Sequence, residues 1–227
     1  MKKLLLASAL TLALAGNTSA SFQFVSVPLG TVGNEPSGSP GPYSWNLYFD
    51  VASPVTITSL GAFDSGSDGV FVSTVSVAIF DADTGQMVGS PISFTTADPG
   101  VLDGGFRYKS LGGGITLAAG FHGIVSAFGH SGMSSAYEPF GNLNHANPPA
   151  TAFDDGAGLL SNLGSFRYQP QASGFTIPGS TAGYRATPEV AAGSFQFVSA
   201  IPEPSTYIAS ALLLLPFGIQ AIRRIRK

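Results

Sequence analysis

Between residues 21 and 200 the chain breaks into short, alternating apolar runs separated by Gly, Pro, Asn and Asp, and no stretch keeps a 3.6-residue period. That pattern constrains the fold most, because period-2 alternation places every second side chain on one sheet face. Strand-like runs are Phe22–Val27, Ser44–Val51, Val55–Phe63, Ser73–Phe80, Pro91–Thr95, Gly105–Ser110, Gly114–Ala118, Phe121–Phe128, Gly164–Gln169 and Ser194–Ala200. Trp45, Leu47 and Phe49 share one face, opposed by Asn46, Tyr48 and Asp50; Val75, Val77 and Ile79 share another. Asp81-Ala82-Asp83-Thr84-Gly85 has the residues of a hairpin turn. With 29 Gly, 16 Pro and 17 Phe, the composition suits turns and half-buried strands better than helices. The expectation is an all-β fold: an antiparallel β-sandwich or jelly-roll-like domain over residues 21–200.

Two echoes bear on how the strands are arranged. Ser21-Phe22-Gln23-Phe24-Val25-Ser26 recurs word for word as Ser194-Phe195-Gln196-Phe197-Val198-Ser199, and Phe106-Arg107-Tyr108 recurs as Phe166-Arg167-Tyr168. Neither grows into a tandem repeat, which argues against a solenoid or propeller. The first echo predicts that the first and last strands are antiparallel neighbours.

The two ends have a different chemistry. Met1-Lys2-Lys3, the uncharged Leu4–Ala15 and the small residues Thr18-Ser19-Ala20 read as a signal peptide over residues 1–20, cut after Ala20 by signal peptidase. Ala13-Leu14-Ala15 is an alternative cut site. At the other end, Pro202-Glu203-Pro204 precedes an uncharged run, Tyr207–Ile222, and then the basic residues Arg223, Arg224, Arg226 and Lys227. As a helix that run would be about 24 Å long, slightly short of a ~30 Å hydrocarbon core, and flanking Arg side chains can snorkel to cover the difference. The positive-inside rule keeps the basic end cytoplasmic and puts the preceding domain outside.

This order of proline-glutamate-proline, apolar segment and basic finish resembles the PEP-CTERM sorting signal of Gram-negative bacteria, over residues 201–227. The resemblance implies export by the general secretion machinery and an inner-membrane-anchored precursor. It also implies recognition by an exosortase-type membrane transpeptidase or protease, with delivery to the cell surface or an exopolysaccharide-rich matrix. The same tail occurs on some ice-binding proteins, but regular flat arrays of Thr are missing here. Leu60-Gly61-Ala62-Phe63-Asp64, Asp68-Gly69, Gly105-Phe106-Arg107-Tyr108 and Leu117-Ala118-Ala119-Gly120 are similar to motifs of uncharacterised β-sandwich domains that precede such tails. That likeness runs roughly from Ser44 to Phe128 and brings no chemistry with it.

Setting the ends aside leaves four basic residues, Arg107, Lys109, Arg167 and Arg185, against twelve acidic ones, a net charge of −8. Such a domain repels phosphate backbones, so nucleic acid is not an expected partner. There is no cysteine, hence no disulfide, thiolate metal site or cysteine nucleophile.

Asp64-Ser65-Gly66-Ser67-Asp68-Gly69 reads either as an Asp/Gly turn or as a fragment of a calcium loop with Asp64 and Asp68 as ligands. His122, His130 and His145 lack metal-site spacing, and Gly129-His130-Ser131-Gly132-Met133 misses the nucleophile-elbow pattern at its last position. Adjacent Asp154 and Asp155 on a strand would point to opposite faces, unlike a glycosidase pair. No enzymatic activity is expected. Sugar stacking on exposed rings is the alternative function, with Tyr43, Trp45 and Tyr137 as candidates beside Tyr48 and Tyr168. Residues 30–42 are Gly-, Pro- and Ser-rich, and the long loop 131–162, with its Pro, Gly and Asn residues, is the first place to look for binding.

Overall fold

Alternation along the strands becomes two opposed sheet faces in the computed structural model, which describes residues 20–33, 42–71, 73–130, 152–163, 166–169, 172–177 and 191–200. Residues 1–19 of the expected leader, the expected sorting tail and Tyr137 lie outside these residues. Ser21–Ala200 is one compact unit. It is all-β with antiparallel pairing throughout, and the described residues contain no α-helix.

In chain order the described strands are β1 (Ser21–Gln23), β2 (Val25–Ser26), β3 (Tyr43–Val51), β4 (Val55–Phe63), β5 (Val75–Asp81), β6 (Met87–Phe94) and β7 (Val101–Asp103). They continue as β8 (Phe106–Leu117), β9 (His122–His130), β10 (Ala152–Phe153), β11 (Leu160–Ser161), β12 (Phe166–Gln169) and β13 (Gly193–Ser199). One sheet has the order β1-β13-β4-β8-β7; the other has β11-β3-β9-β5-β6, with β12 also on β3. A small β10-β2 ladder joins the segment after β1 to the chain near Phe153.

The facing sides of the two sheets share one core. Phe49 of the second sheet lies 4.9 Å from Phe195 of the first, and Phe24 stacks on Phe195 at 4.5 Å. Trp45, Leu47, Phe49 and Val51, one face of β3, are all buried in it, with Val75, Val77 and Ile79 of β5. Each such large side chain contributes roughly 1.5–3 kcal/mol by leaving water, which is how a chain without disulfides can hold together. The outward face of β3, β5 and β9 is covered too: Ala78, Phe80 and Ile124 pack with Phe175 and Ile177.

The β5–β6 hairpin turns at Asp81–Gly85 as its sequence predicts, with Oδ1 of Asp81 accepting from the amides of Asp83 and Thr84. Two runs predicted as separate, Gly105–Ser110 and Gly114–Ala118, are one strand, β8. Gly112 and Gly114 take positive φ inside it, and the pairing with β4 slips between Ile57 and Ser59. The glycines therefore make an irregular strand instead of a break. Strand β6 starts at Met87, earlier than predicted, and its Pro91 sits at the sheet edge, where a missing N–H is tolerated. Gly61 is required for packing, because a Cβ there would run into the ring of Tyr108.

Candidate functional site

The duplicated hexapeptide forms the most organised polar site of the described structure, at the edge where β1 meets β13. Ser21, Phe22 and Gln23 lie opposite Val198, Phe197 and Gln196, so the first and last strands are antiparallel neighbours. Phenylalanines point inward and the two glutamines outward, onto Asp103. Nε2 of Gln23 donates to the Asp103 carbonyl at 3.1 Å, and Nε2 of Gln196 donates to its carboxylate at 3.0 Å.

Gln23 also donates to the Tyr108 hydroxyl at 2.9 Å, which itself donates to Oγ of Ser194 at 2.9 Å. Ser194 donates to the Val25 carbonyl and accepts from the Val25 amide, both at 3.1 Å. Burial pushes the Tyr108 pKa well above the ordinary phenol value, with the Ser194 and Gln23 hydrogen bonds opposing it. The phenol is thus a structural tie between β8, β13 and the segment after β1, and not an acid or base near neutrality. The last described residue is held as well: the Ala200 amide donates to the Pro54 carbonyl at 2.9 Å. The beginning of β1 and the end of β13 leave the unit side by side.

Asp64 and Asp68 both serve a turn, the short 3-10 segment Ser65–Ser67. Asp64 is fully buried; its carboxylate takes the Gly69 amide at 2.9 Å and Nε of Arg107 at 2.7 Å. Asp68 accepts from the Val70 amide at 2.9 Å. The positive charge beside Asp64 is therefore a guanidinium from β8, and a calcium ion would have to displace it. Among the described residues no group of three or more His, Asp or Glu is placed to hold a metal.

The aromatic candidates separate in the same way. Trp45 is only 3% exposed, part of the core, which corrects its assignment as a sugar platform. Its alternation with Leu47 and Phe49 already placed it on the inward face. Tyr43 opens β3 opposite His130. Tyr48 is half-buried against the outer apolar cluster, and Tyr168 lies in β12 opposite Trp45. The large exposed hydrophobic side chains among the described residues are Leu29, Val32, Val70, Met87 and Val101, none of them aromatic.

Remaining polar candidates have structural roles. Oδ1 of Asp154 accepts from the Gly156 amide at 2.8 Å, closing a turn. Nδ1 of His122 lies 3.2 Å from Asp83 on the surface. Below the outer apolar cluster, Ser44 and Ser126 share a hydrogen bond at 3.3 Å, and Ser44 and Asn46 both donate to the Thr176 carbonyl. His130, which no sequence signal marks, is fully buried at the end of β9. Neither ring nitrogen has a hydrogen bond of normal geometry among the described residues. Burial pushes its pKa down to about 4, an effect that the Ala192 backbone only partly offsets.

No protein-family profile matches the chain, and no curated protein matches it.

Proposed function

We propose that the chain is an exported cell-surface or extracellular-matrix protein. The secretion machinery delivers it, signal peptidase trims it after Ala20, and the Tyr207–Ile222 span holds it at the inner membrane. An exosortase-type membrane enzyme then reads Pro202-Glu203-Pro204. In this reading the two-sheet unit is a β-sandwich payload, jelly-roll-like in type, with a structural role in a surface layer or exopolysaccharide matrix.

The observation that carries the proposal is the uninterrupted order of motif, apolar segment and basic end at residues 202–227. The extent of the compact unit, Ser21 to Ala200, supports it, since it contains neither segment with leader or tail chemistry. So does the pairing of Ser21 with Val198, since it sets the residue that follows the expected leader beside the end of β13.

The test replaces Pro202, Glu203 and Pro204 with alanine in the producing cell and fractionates it. Retention in the inner-membrane fraction, with loss from the surface, is expected. Undiminished surface release would remove the sorting role.

A further inference from the structure

The β1–β13 ladder is one hexapeptide paired with itself. Numbering each copy of Ser-Phe-Gln-Phe-Val-Ser from one to six, Ser21 faces Val198, Phe22 faces Phe197 and Gln23 faces Gln196, so positions one, two and three face five, four and three. The Phe24 amide donates to the Phe195 carbonyl at 2.9 Å and the Val25 amide meets Oγ of Ser194 at 3.1 Å, which continues the series as four on two and five on one. Sequence and register are therefore related by a local two-fold through Gln23 and Gln196. The ring pairs Phe22–Phe197 at 5.4 Å and Phe24–Phe195 at 4.5 Å are equivalent under it. Alternation along an antiparallel ladder makes Gln23–Gln196 a close, non-hydrogen-bonded pair.

The two strands are held very unequally. β13 is paired along its whole length with β4, from Gly193 to Ser199, whereas β1 is a three-residue strand at the sheet edge. A short edge strand is the least protected element of a sheet.

We propose that the β1-facing edge of β13 is a self-association site whose partner is Ser194–Ser199 of a second copy of this chain. The incoming strand takes the place and register of β1, and the local two-fold becomes the symmetry axis of a dimer. The occupant is a second copy because it alone presents the same hexapeptide on a strand already supported by its own sheet. When residues 21–25 of both copies peel away, taking Phe24 out of the core, one shared β13–β13 ladder with the same residue pairs replaces the two β1–β13 ladders. The resulting interface is isologous, with the same strand edge used by both copies. The proposal is independent of the sorting tail.

Cysteine chemistry tests it directly, because the chain has no cysteine of its own. In the full chain, Phe22→Pro removes an N–H that β1 uses in the ladder. On that background Gln196→Cys should give an intermolecular disulfide under mild oxidation about tenfold faster than Asp155→Cys, an exposed position elsewhere, because pairing raises the effective concentration of the thiols. Free peptide Ser-Phe-Gln-Phe-Val-Ser should suppress the dimer. The second arm keeps β1 intact: Gln196→Cys alone should form a mixed disulfide with the peptide Ser-Phe-Cys-Phe-Val-Ser, read by intact mass. Oxidation no faster than at Asp155→Cys, or dimerisation unaffected by peptide, would overturn the proposal in the first arm. Absence of the mixed disulfide would overturn it in the second.

Discussion

Nε of Arg107 lies 2.7 Å from Oδ2 of Asp64, and that carboxylate is fully buried. The pair joins β8 to the turn after β4. The same guanidinium reaches toward the carbonyls of Ser67 and Gly100. Removing one partner of such a pair leaves a charge uncompensated in the interior.

Arg107→Met is therefore expected to destabilise the protein by about 3 kcal/mol, and Asp64→Asn by less, since the guanidinium left unpaired is partly exposed whereas the carboxylate is fully buried. Urea unfolding of both single variants and the double variant checks this. In the double variant the loss should fall well short of the sum of the two. Additive losses would mean that the pair acts only as two unrelated turn residues.

Gly61→Ala should cost about 1–3 kcal/mol, because its methyl group has to displace the Tyr108 ring. Tyr108→Phe keeps the ring but leaves Ser194 and Gln23 without the hydroxyl, for a loss of about 1–2 kcal/mol. Thermal unfolding read by far-UV circular dichroism measures both. A silent Gly61→Ala would mean that Tyr108 does not lie across β4.

His130 predicts a pH dependence with a definite sign. Its folded pKa of about 4 lies below the ordinary histidine value of 6.5, so the unfolded chain binds the proton first. Stability is intact above pH 6.5 and declines as pH falls toward 4, by about 3 kcal/mol over the window. His130→Leu should flatten this part of the profile. Urea midpoints at a series of pH values decide it, and an unchanged slope in His130→Leu would assign the dependence to other groups.

Trp45 is the chain's one tryptophan, so fluorescence reports its site without ambiguity. Burial predicts a blue-shifted emission in the native state, little quenching by acrylamide and a red shift on unfolding. Added oligosaccharide should leave the native spectrum unchanged. A native spectrum like that of the unfolded chain would restore Trp45 as a surface platform.

Which parts of this structure are legible in the sequence depends on the kind of signal each residue carries. The antiparallel pairing of the first and last strands is legible because identical hexapeptides share one in-and-out pattern. Trp45 is legible as core by its alternation with Leu47 and Phe49, and that pattern outweighs its residue type as a sugar-binding candidate. Continuity of β8 through Gly112 and Gly114 is not legible, since local turn preference cannot anticipate a ladder that tolerates the irregularity. The role of Asp64 is hidden because its partner Arg107 lies 43 positions away. A buried histidine such as His130 has no local sequence mark at all.

The central claim is that a two-sheet payload travels between a removable leader and a sorting tail. Intact-mass analysis of the exported protein, from cells with and without the exosortase-type enzyme, tests it most directly. The predicted result is a mature chain that begins at Ser21 in both. With the enzyme it should end close to Pro202-Glu203-Pro204, and without it the chain should keep the tail through Lys227. A C-terminus that is the same in both kinds of cell would contradict the claim.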